Sequence, residues 1–583
     1  MRPLSNTSHK ALLPVGGTTI LGRMVESLRA LDVRDVTAVT GYRADEVENF
    51  LRSACPDAKL RFVHNPRYDE TNNVVSLSLA LEQTPLDDDV LLLECDLIFD
   101  RELLTRLIDN PAKNVALVDS YRAGMDGTVV SVADGVITGV FPPHVQGSDF
   151  EYEDKFKTLN IYRFDREFCR DTLQPLLGWY AGNVDATSYY ELVLGMLTNL
   201  PKHNIAAEVV DGDRWVEVDD PNDLAVGRFQ FESSRRAEVL DRNLGGHWNF
   251  ELTDFSFMRN AYFPTDAMFA EMRYALPALV KNYGSAQVVL NEKMSYFLEC
   301  DPGRVQVLNG ASQAFPILRD SLRTKRVAIP SPTFGEYSRM FPDATTYPDK
   351  PGVEMGRIDR ATETCDVVVV VNPNTPTGTS IATKELYLVA REHSQTTFVV
   401  DESFIAFSDQ PSIVGYLEEQ PLTNVVVLTS LSKSLGIPGL RLGFLYTCDL
   451  DINAAVGASL PVWNLNAPAE FLLELLLKFR VDLQGSLEQT AVDRENLRHD
   501  LGELDIVDHV HPSGGNYLLT CLVGSSAEVA HTIRQKLLAG FRIEVKDVSG
   551  RFPDGRPRLR LAVRTPDDNA RLLDALRAAG AAA

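Results

Sequence analysis

Nowhere does the 583-residue sequence hold together a run of apolar residues as long as a membrane span, about eighteen or more, and its N-terminus lacks an apolar signal core. The expectation is a soluble, cytoplasmic protein with no membrane partner. Cysteine is scarce and poorly placed for pairing. The seven are odd in number, dispersed, and without a C-x-x-C pair, which excludes a disulfide framework and a cysteine zinc site and fits a reducing compartment. Positive charge is short as well. Against 81 Asp and Glu stand 57 Lys and Arg, a formal charge of −24, so general binding to nucleic acid is excluded, while phosphate-bearing small molecules remain possible in locally basic pockets. Repeats and low-complexity tracts are absent apart from an alanine-rich tail. What is present is a globular composition, 44% hydrophobic, in a chain too long for one ordinary core. Two domains are expected: residues 1–228, a linker helix at 229–248 ended by Gly245-Gly246, and residues 249–583.

The chemistry centres on Thr429-Ser430-Leu-Ser432-Lys433-Ser-Leu-Gly-Ile-Pro-Gly-Leu-Arg441. A lysine that must form an imine needs a neutral fraction, which burial and nearby positive charge promote. Ser430, Ser432 and Arg441 can hold a dianionic phosphate by charge-assisted hydrogen bonds. The plain alternative is a Ser/Gly-rich loop with a solvated lysine. Upstream, Phe398-Val-Val-Asp401 reads as a buried strand ending in a carboxylate able to keep a pyridine nitrogen protonated, and Val367–Val371 runs into the turn Asn372-Pro-Asn374-Thr375-Pro-Thr-Gly378. Together these motifs point to pyridoxal phosphate.

In order and spacing these segments resemble the fold-type I pyridoxal phosphate family, aminotransferase class I/II, in the branch of histidinol-phosphate aminotransferases and threonine-phosphate decarboxylases. The resemblance implies that Lys433 carries the cofactor, that Ser312 and Gln313 lie at its phosphate and that Phe334 stacks on its ring. It also implies that Tyr283 reaches the phosphate in the neighbouring subunit of a homodimer, and that Arg560 takes the substrate carboxylate. Lys546 stands where decarboxylase relatives tend to have arginine, and with Arg564 it is a candidate for a phosphate or phosphonate; a solvated basic edge is the alternative. Two departures stand out. The family's P-N-N-P-T-G is Pro373-Asn374-Thr375-Pro376-Thr377-Gly378 here, leaving open whether Asn374 or Thr375 meets the ring hydroxyl, and D-E-A-Y is Asp401-Glu402-Ser403-Phe404, which removes a phenol.

Residues 1 to about 225 alternate short apolar strands with amphipathic helices, the α/β pattern of a mostly parallel, Rossmann-like sheet. Val90-Leu-Leu-Leu-Glu-Cys-Asp96 ends on a carboxylate, and Asp219 lies in a second acidic cluster. Two carboxylates meeting one Mg²⁺ is a hard-cation arrangement, against which a helix cap is the structural alternative. The opening Arg2-Pro-Leu-Ser to Lys10-Ala-Leu-Leu-Pro-Val resembles the sugar-phosphate and choline-phosphate nucleotidyltransferases. That resemblance implies that Arg2 and Lys10 contact a nucleoside triphosphate, that Asp96 and Asp219 bind metal, and that the motifs around Asn73 and Asn160 belong to the cytidylyltransferase branch, so CTP is the expected nucleotide. Tyr190 and Glu191 are candidates for an acceptor's cationic amine through cation–π and carboxylate contact, or equally an amphipathic helix packed on the sheet. The family's first strand and glycine-rich phosphate loop precede R-x-P-L, and this sequence starts at Met1-Arg2-Pro3. The expectation is a start further upstream; the alternative is an impaired first domain.

The expected whole is bifunctional: decarboxylation of a phospho- or phosphono-α-amino acid and transfer of CMP to its phosphorus oxyanion, as in the decarboxylase/cytidylyltransferase fusions of phosphonate antibiotic pathways. The alternatives are an aminotransferase in the second half, or a non-catalytic nucleotide-binding module in the first.

Overall fold

A computed structural model describes residues 4–122, 124–147, 149–198, 200, 204–210, 212, 214–349 and 355–581. The chain divides into two compact units, Met1–Glu251 and Leu252–Ala583. The stretch read as a linker helix lies within the first: Pro221–Phe231 and Arg236–Asn243 are separate helices joined by a 3-10 turn. Among the described residues, no helix is long and apolar enough to cross a membrane.

In the first unit a six-stranded sheet runs in the order Val90–Leu93, Lys155–Phe164, Val115–Ser120, Ala206–Val210, Val136–Phe141, Val129–Ala133. It is mixed rather than mostly parallel. Val129–Ala133 and Val136–Phe141 are joined through Asp134-Gly135, both at positive φ, a two-residue connection that permits only antiparallel pairing. The long strand Lys155–Phe164 is antiparallel to each of its partners. A separate parallel pair, Asp35–Thr40 with Lys59–His64, stands apart from this sheet among the described residues. Two apolar clusters cover the sheet, one with Val74, Leu77 and Leu177, the other with Leu103, Leu104 and Leu107.

The second unit shows most plainly how residue pattern becomes position. Its seven-stranded sheet has the order Val305–Leu308, Gly443–Thr447, Val425–Ser430, Thr397–Asp401, Val367–Val371, Val327–Ser331, Thr345–Pro348. Five consecutive valines make up Val367–Val371, and all are buried. Because side chains alternate across a strand, Val368 and Val370 enter one core while Val367, Val369 and Val371 enter the other. Each such valine contributes roughly 1.5–3 kcal/mol by leaving water. The strands ending at Asp401, Ser430, Val371 and Ser331 are mutually parallel, so Asp401, Lys433, the 372–378 turn and Phe334 all follow carboxyl ends along one edge, where such sheets place their ligands. An antiparallel sheet of Val507–Val510, Tyr517–Leu522, Arg558–Ala562 and Lys546–Asp547 carries Arg560.

Candidate functional site

In the second unit Lys433 sits on a single helical turn, Leu431–Ser434, directly after the strand Val425–Ser430. The segment Asn260–Phe263 packs over this turn: Asn260 donates its backbone N–H to the Lys433 carbonyl at 2.9 Å and its side-chain amide to the Ser434 carbonyl at 2.9 Å. The approach is close enough that a Cβ on Gly436 would lie 2.0 Å from the Phe263 carbonyl oxygen, so residue 436 must be glycine. Burial, with Arg560 and Arg441 nearby, pushes the Lys433 amine down to about 8, against the opposing pull of Asp401. Burial raises Asp401 itself, although its carboxylate accepts from the Ser403 N–H at 3.0 Å and the Tyr337 hydroxyl at 2.8 Å.

The fit to pyridoxal phosphate rests on four observations. Ser432 Oγ is buried with no hydrogen-bond partner. Arg441 donates to Ser312 Oγ at 3.1 Å, and a Cβ on Gly310 would stand 2.6 Å from its guanidinium, so this cationic cradle exists because Gly310 has no side chain. Asp401 is buried at the strand end. Phe334 is 43% exposed, which a core aromatic is not. Ser430 closes the strand with its N–H on Ser403 Oγ at 3.0 Å. The residues present fit the group: Ser312, Ser430, Ser432 and Arg441 for its phosphate, Asp401 for its ring nitrogen, Phe334 for its face, Lys433 for its carbon.

The other expected residues make contacts of their own. The Gln313 side chain is committed to Asn309 N–H and Asn464, leaving Ser312 as the side chain facing Arg441. The Asn374 amide is spent on Asp349, Thr333 and the Pro332 carbonyl, whereas Thr375 Oγ1 accepts from Arg560 at 3.2 Å. Arg564 makes local contacts in this structure. Its Nε is held by Asp568 at 2.8 Å and its Nη1 by the Asp254 carbonyl. Lys546 is directly opposite Arg560 in the strand ladder, so the two share a face. Tyr283 is 78% exposed and stacks on Trp463 with ring centroids 4.2 Å apart. Sequence reasoning missed Tyr337 and Asp349, for which no local signal exists, since each acts on a residue 64 or 25 positions away.

In the first unit Asp96 and Asp219 meet because Leu97–Phe99 pairs antiparallel with Trp215–Glu217, putting Asp96 just before one strand and Asp219 just after the other. Lys10 Nζ bridges them, 2.5 Å from Asp96 and 3.3 Å from Asp219. Burial alone would lower the Lys10 pKa; the two carboxylates outweigh it and hold it above its usual value. Asp96 Oδ1 is buried without a partner. Asp126, Glu217 and Asp219 present carboxylate oxygens within 4.8 Å of one another, a donor set suited to a hard cation. The helix-cap alternative falls to Asp220, whose side chain caps Pro221–Phe231. Arg2 lies outside the described residues.

Behind this patch is an acidic pocket. Asn160 stands at positive φ in a bulge of the strand Lys155–Phe164, which turns its amide toward Glu94 at 3.4 Å and Glu217 at 3.2 Å. Asn73 bridges Glu94 at 3.2 Å and Glu191 at 3.4 Å and accepts from the Tyr190 N–H. Lys157 pairs with Glu217 at 3.0 Å. Burial and then Asp96, Glu191 and Glu217 push Glu94 up to about 8, and burial raises Glu191 and Glu217 as well. Tyr190 is fully buried on the edge of Tyr162. The sequence signal for Glu94 was its place two residues before Asp96.

These sites define a pyridoxal phosphate enzyme joined to a nucleotidyltransferase. Residues 249–576 match the family Aminotransferase class I and II, and residues 4–177 match the MobA-like NTP transferase domain; the chain belongs to the aminotransferase class I and II family, with the transferase domain fused before it. Over 580 residues, 97% of this chain and 91% of the other, it is 30% identical to CMP-5'-(3-aminopropyl)phosphonate synthase of Streptomyces rubellomurinus. The second half is 25% identical over 319 residues to L-serine phosphate decarboxylase of Sulfurospirillum multivorans, covering 52% of this chain and 80% of that protein, and histidinol-phosphate aminotransferases match at 24–30%. Its fold is that of L-threonine-O-3-phosphate decarboxylase from Porphyromonas gingivalis, with a TM-score of 0.51 at 23% identity over 56% of this chain and 99% of that one.

Proposed function

We propose that the second unit decarboxylates a phosphono- or phospho-α-amino acid and that the first transfers CMP from CTP to the phosphorus oxyanion, giving a CMP-linked aminoalkylphosphonate. The observation that carries this is Lys433, an amine lowered to about 8 and set among Asp401, Arg441 and Arg560, in a chain similar from end to end to a CMP-aminopropylphosphonate synthase. Restoring a carboxylate to the amine-bearing carbon of 3-aminopropylphosphonate gives 2-amino-4-phosphonobutanoate, the candidate substrate.

Ser312, Ser432, Arg441, Asp401 and Lys433 would hold pyridoxal phosphate, which would supply an electron sink for the pair left when the bond from the α-carbon to the carboxylate breaks and CO₂ leaves. Arg560 orients that carboxylate by charge-assisted hydrogen bonds from its guanidinium. Lys433 Nζ, its pKa lowered to about 8, delivers the proton that takes the carboxylate's place. Asp401 would keep a bound cofactor's ring nitrogen protonated. In the first unit a phosphonate oxygen attacks the α-phosphorus of CTP and pyrophosphate departs. Asp96, Asp219, Asp126 and Glu217 would hold Mg²⁺, which neutralises charge on the triphosphate, and Lys10 and Arg2 add to that neutralisation. Glu94 and Glu191 receive the acceptor's ammonium beside Tyr190.

The homodimer belongs to the same proposal. Phe269, Tyr274, Val280, Tyr283 and Trp463 are all more than half exposed in the second unit, apolar side chains of the kind a second copy of the chain covers. Light scattering should give twice the chain mass.

Incubating the protein with 2-amino-4-phosphonobutanoate, CTP and Mg²⁺ tests the reaction. CO₂, pyrophosphate and a product mass equal to CMP plus the decarboxylated amine, less water, are expected. Formation of a keto acid with no CO₂ would refute decarboxylation, and absence of pyrophosphate would refute nucleotidyl transfer.

A further inference from the structure

The acidic pocket of the first unit already holds more carboxylates than it keeps ionised at neutral pH. Glu191 is buried, Glu94 and Glu217 are half-buried beside it, and after burial the groups that act most strongly on Glu94 are the anions Asp96, Glu191 and Glu217. The N–H donors on its walls face the pocket's own carboxylates: Asn73 toward Glu94 and Glu191, Asn160 toward Glu94 and Glu217, and Lys157 toward Glu217. Two further groups point to a ligand. Tyr162 and Tyr190 are each 2% exposed, and their hydroxyls are buried without a hydrogen-bond partner. Both lie close to the acidic cluster, since burial and then Glu94 and Glu191 raise the pKa of each. A hydroxyl accepts from an ammonium as readily as it donates to a carboxylate, so the charge of the walls decides which ion enters. With Glu94 pushed up to about 8, the pocket protonates one of its own carboxylates at neutral pH rather than hold another negative charge.

An α-amino acid carries an ammonium and a carboxylate on one carbon, whereas its decarboxylated product carries the ammonium alone. With the ammonium between Glu94 and Glu191, the carboxylate of the amino acid would be a further anion about 5 Å from each, which at an effective dielectric of about 20 disfavours it by about 100-fold or more. We propose that Glu94 and Glu191 exclude the amino acid and admit its decarboxylated amine, so that loss of CO₂ precedes CMP transfer, an order that rests on the two reactions proposed above. The bond from the α-carbon to the carboxylate breaks first, CO₂ leaves and a proton takes its place. A phosphonate oxygen of the resulting amine then bonds the α-phosphorus of CTP as the bond to the departing pyrophosphate breaks. The amine is the product of the second unit and the acceptor of the first.

The test uses the holoenzyme after borohydride reduction, which locks Lys433 to its cofactor and stops CO₂ release, so that an amino acid offered to the first unit stays an amino acid. Pyrophosphate release with CTP and Mg²⁺ is compared for 3-aminopropylphosphonate, 2-amino-4-phosphonobutanoate and the uncharged 2-amino-4-phosphonobutanamide, with product masses recorded. The amine is expected to exceed the acid in kcat/KM by about 100-fold or more, and the amide, which has the size of the acid without its charge, to fall within about tenfold of the amine. Glu191→Gln should narrow the gap between amine and acid by about tenfold. In the unreduced enzyme the free amine should appear before any CMP-linked product. Equal rates for amine and acid with a CMP-linked amino acid as product, an amide as poor as the acid, or a gap unchanged in Glu191→Gln would overturn the assignment. Pyrophosphate from none of the three acceptors would refute nucleotidyl transfer itself and the order with it.

Discussion

The lowered pKa of Lys433 sets how fast the apoprotein captures pyridoxal phosphate, because only the neutral amine attacks the aldehyde. With a pKa of about 8 roughly one lysine in ten is neutral at pH 7, against roughly one in three thousand at the ordinary value of 10.5, a factor of about 300. Capture should rise tenfold per unit up to about pH 8 and then level off. Two substitutions move that plateau in opposite directions. Arg560→Gln removes a cation that disfavours the charged amine, so the plateau should move to higher pH; Asp401→Asn removes the anion that favours it, so the plateau should move lower. Charges about 10 Å apart at an effective dielectric of about 20 interact by about 1.7 kcal/mol, so each shift should be about one unit. Burial, the largest cause, is unchanged by either substitution. Stopped-flow absorbance between pH 7 and 10.5 reads all three proteins. A wild-type rate still climbing at pH 10, or shifts of the same sign in both variants, would refute this account of the site.

Lys433→Ala should abolish the visible absorbance of lysine-bound cofactor and all chemistry at the amino-acid carbon while pyrophosphate release continues, as spectra and a coupled phosphate assay would show. Gly310→Ala introduces a Cβ 2.6 Å from Arg441 at a φ of +77°, and equilibrium dialysis should find pyridoxal phosphate bound at least about tenfold more weakly. Glu94, protonated below about 8, should make the acceptor's KM in CMP transfer fall as pH rises from 7 to 9, and Glu94→Gln should flatten that dependence. Asp219→Asn should reduce CMP transfer by about 100-fold and raise the Mg²⁺ needed for half-maximal rate, with CO₂ release unaltered.

The parts legible in the sequence were those written in consecutive residues. Val367–Val371 announces a strand buried on both faces, and the strand ends at Asp401, Ser430 and Val371 follow from where the valine runs stop. Lys433 and Arg441 are close in sequence and close in space. The mixed sheet of the first unit was not legible, because parallel and antiparallel strands share one alternation and only the Asp134-Gly135 hairpin distinguishes them. Hydrogen-bond commitments were equally hidden. Asn374 bonds Asp349, Gln313 bonds Asn464 and Arg564 bonds Asp568, and in the first two cases the partner is distant in the chain. A motif identifies which side chains are present; which donors remain uncommitted depends on contacts it does not encode.

The two sites differ in polarity, and that difference bears on the ligand. The clustered carboxylates of Glu94, Glu191 and Glu217, the first and last half-buried and Glu191 fully so, are costly unless a cation meets them, and Lys157 answers only Glu217 at ion-pair distance. A bound ammonium would repay Glu94 and Glu191, returning Glu94 to its charged form near neutral pH. Arg560, whose Nε is buried with no partner, carries the converse requirement, an anion for its guanidinium. A ligand that satisfies only one site, an alkylamine or a phosphonate, leaves the other without a counterion. A molecule with an ammonium, a carboxylate and a phosphorus oxyanion satisfies both. Loss of the carboxylate removes the group that Arg560 holds and keeps the ammonium that the acidic pocket requires, so the polarity of both sites is consistent with one aminophosphonate skeleton serving the two reactions.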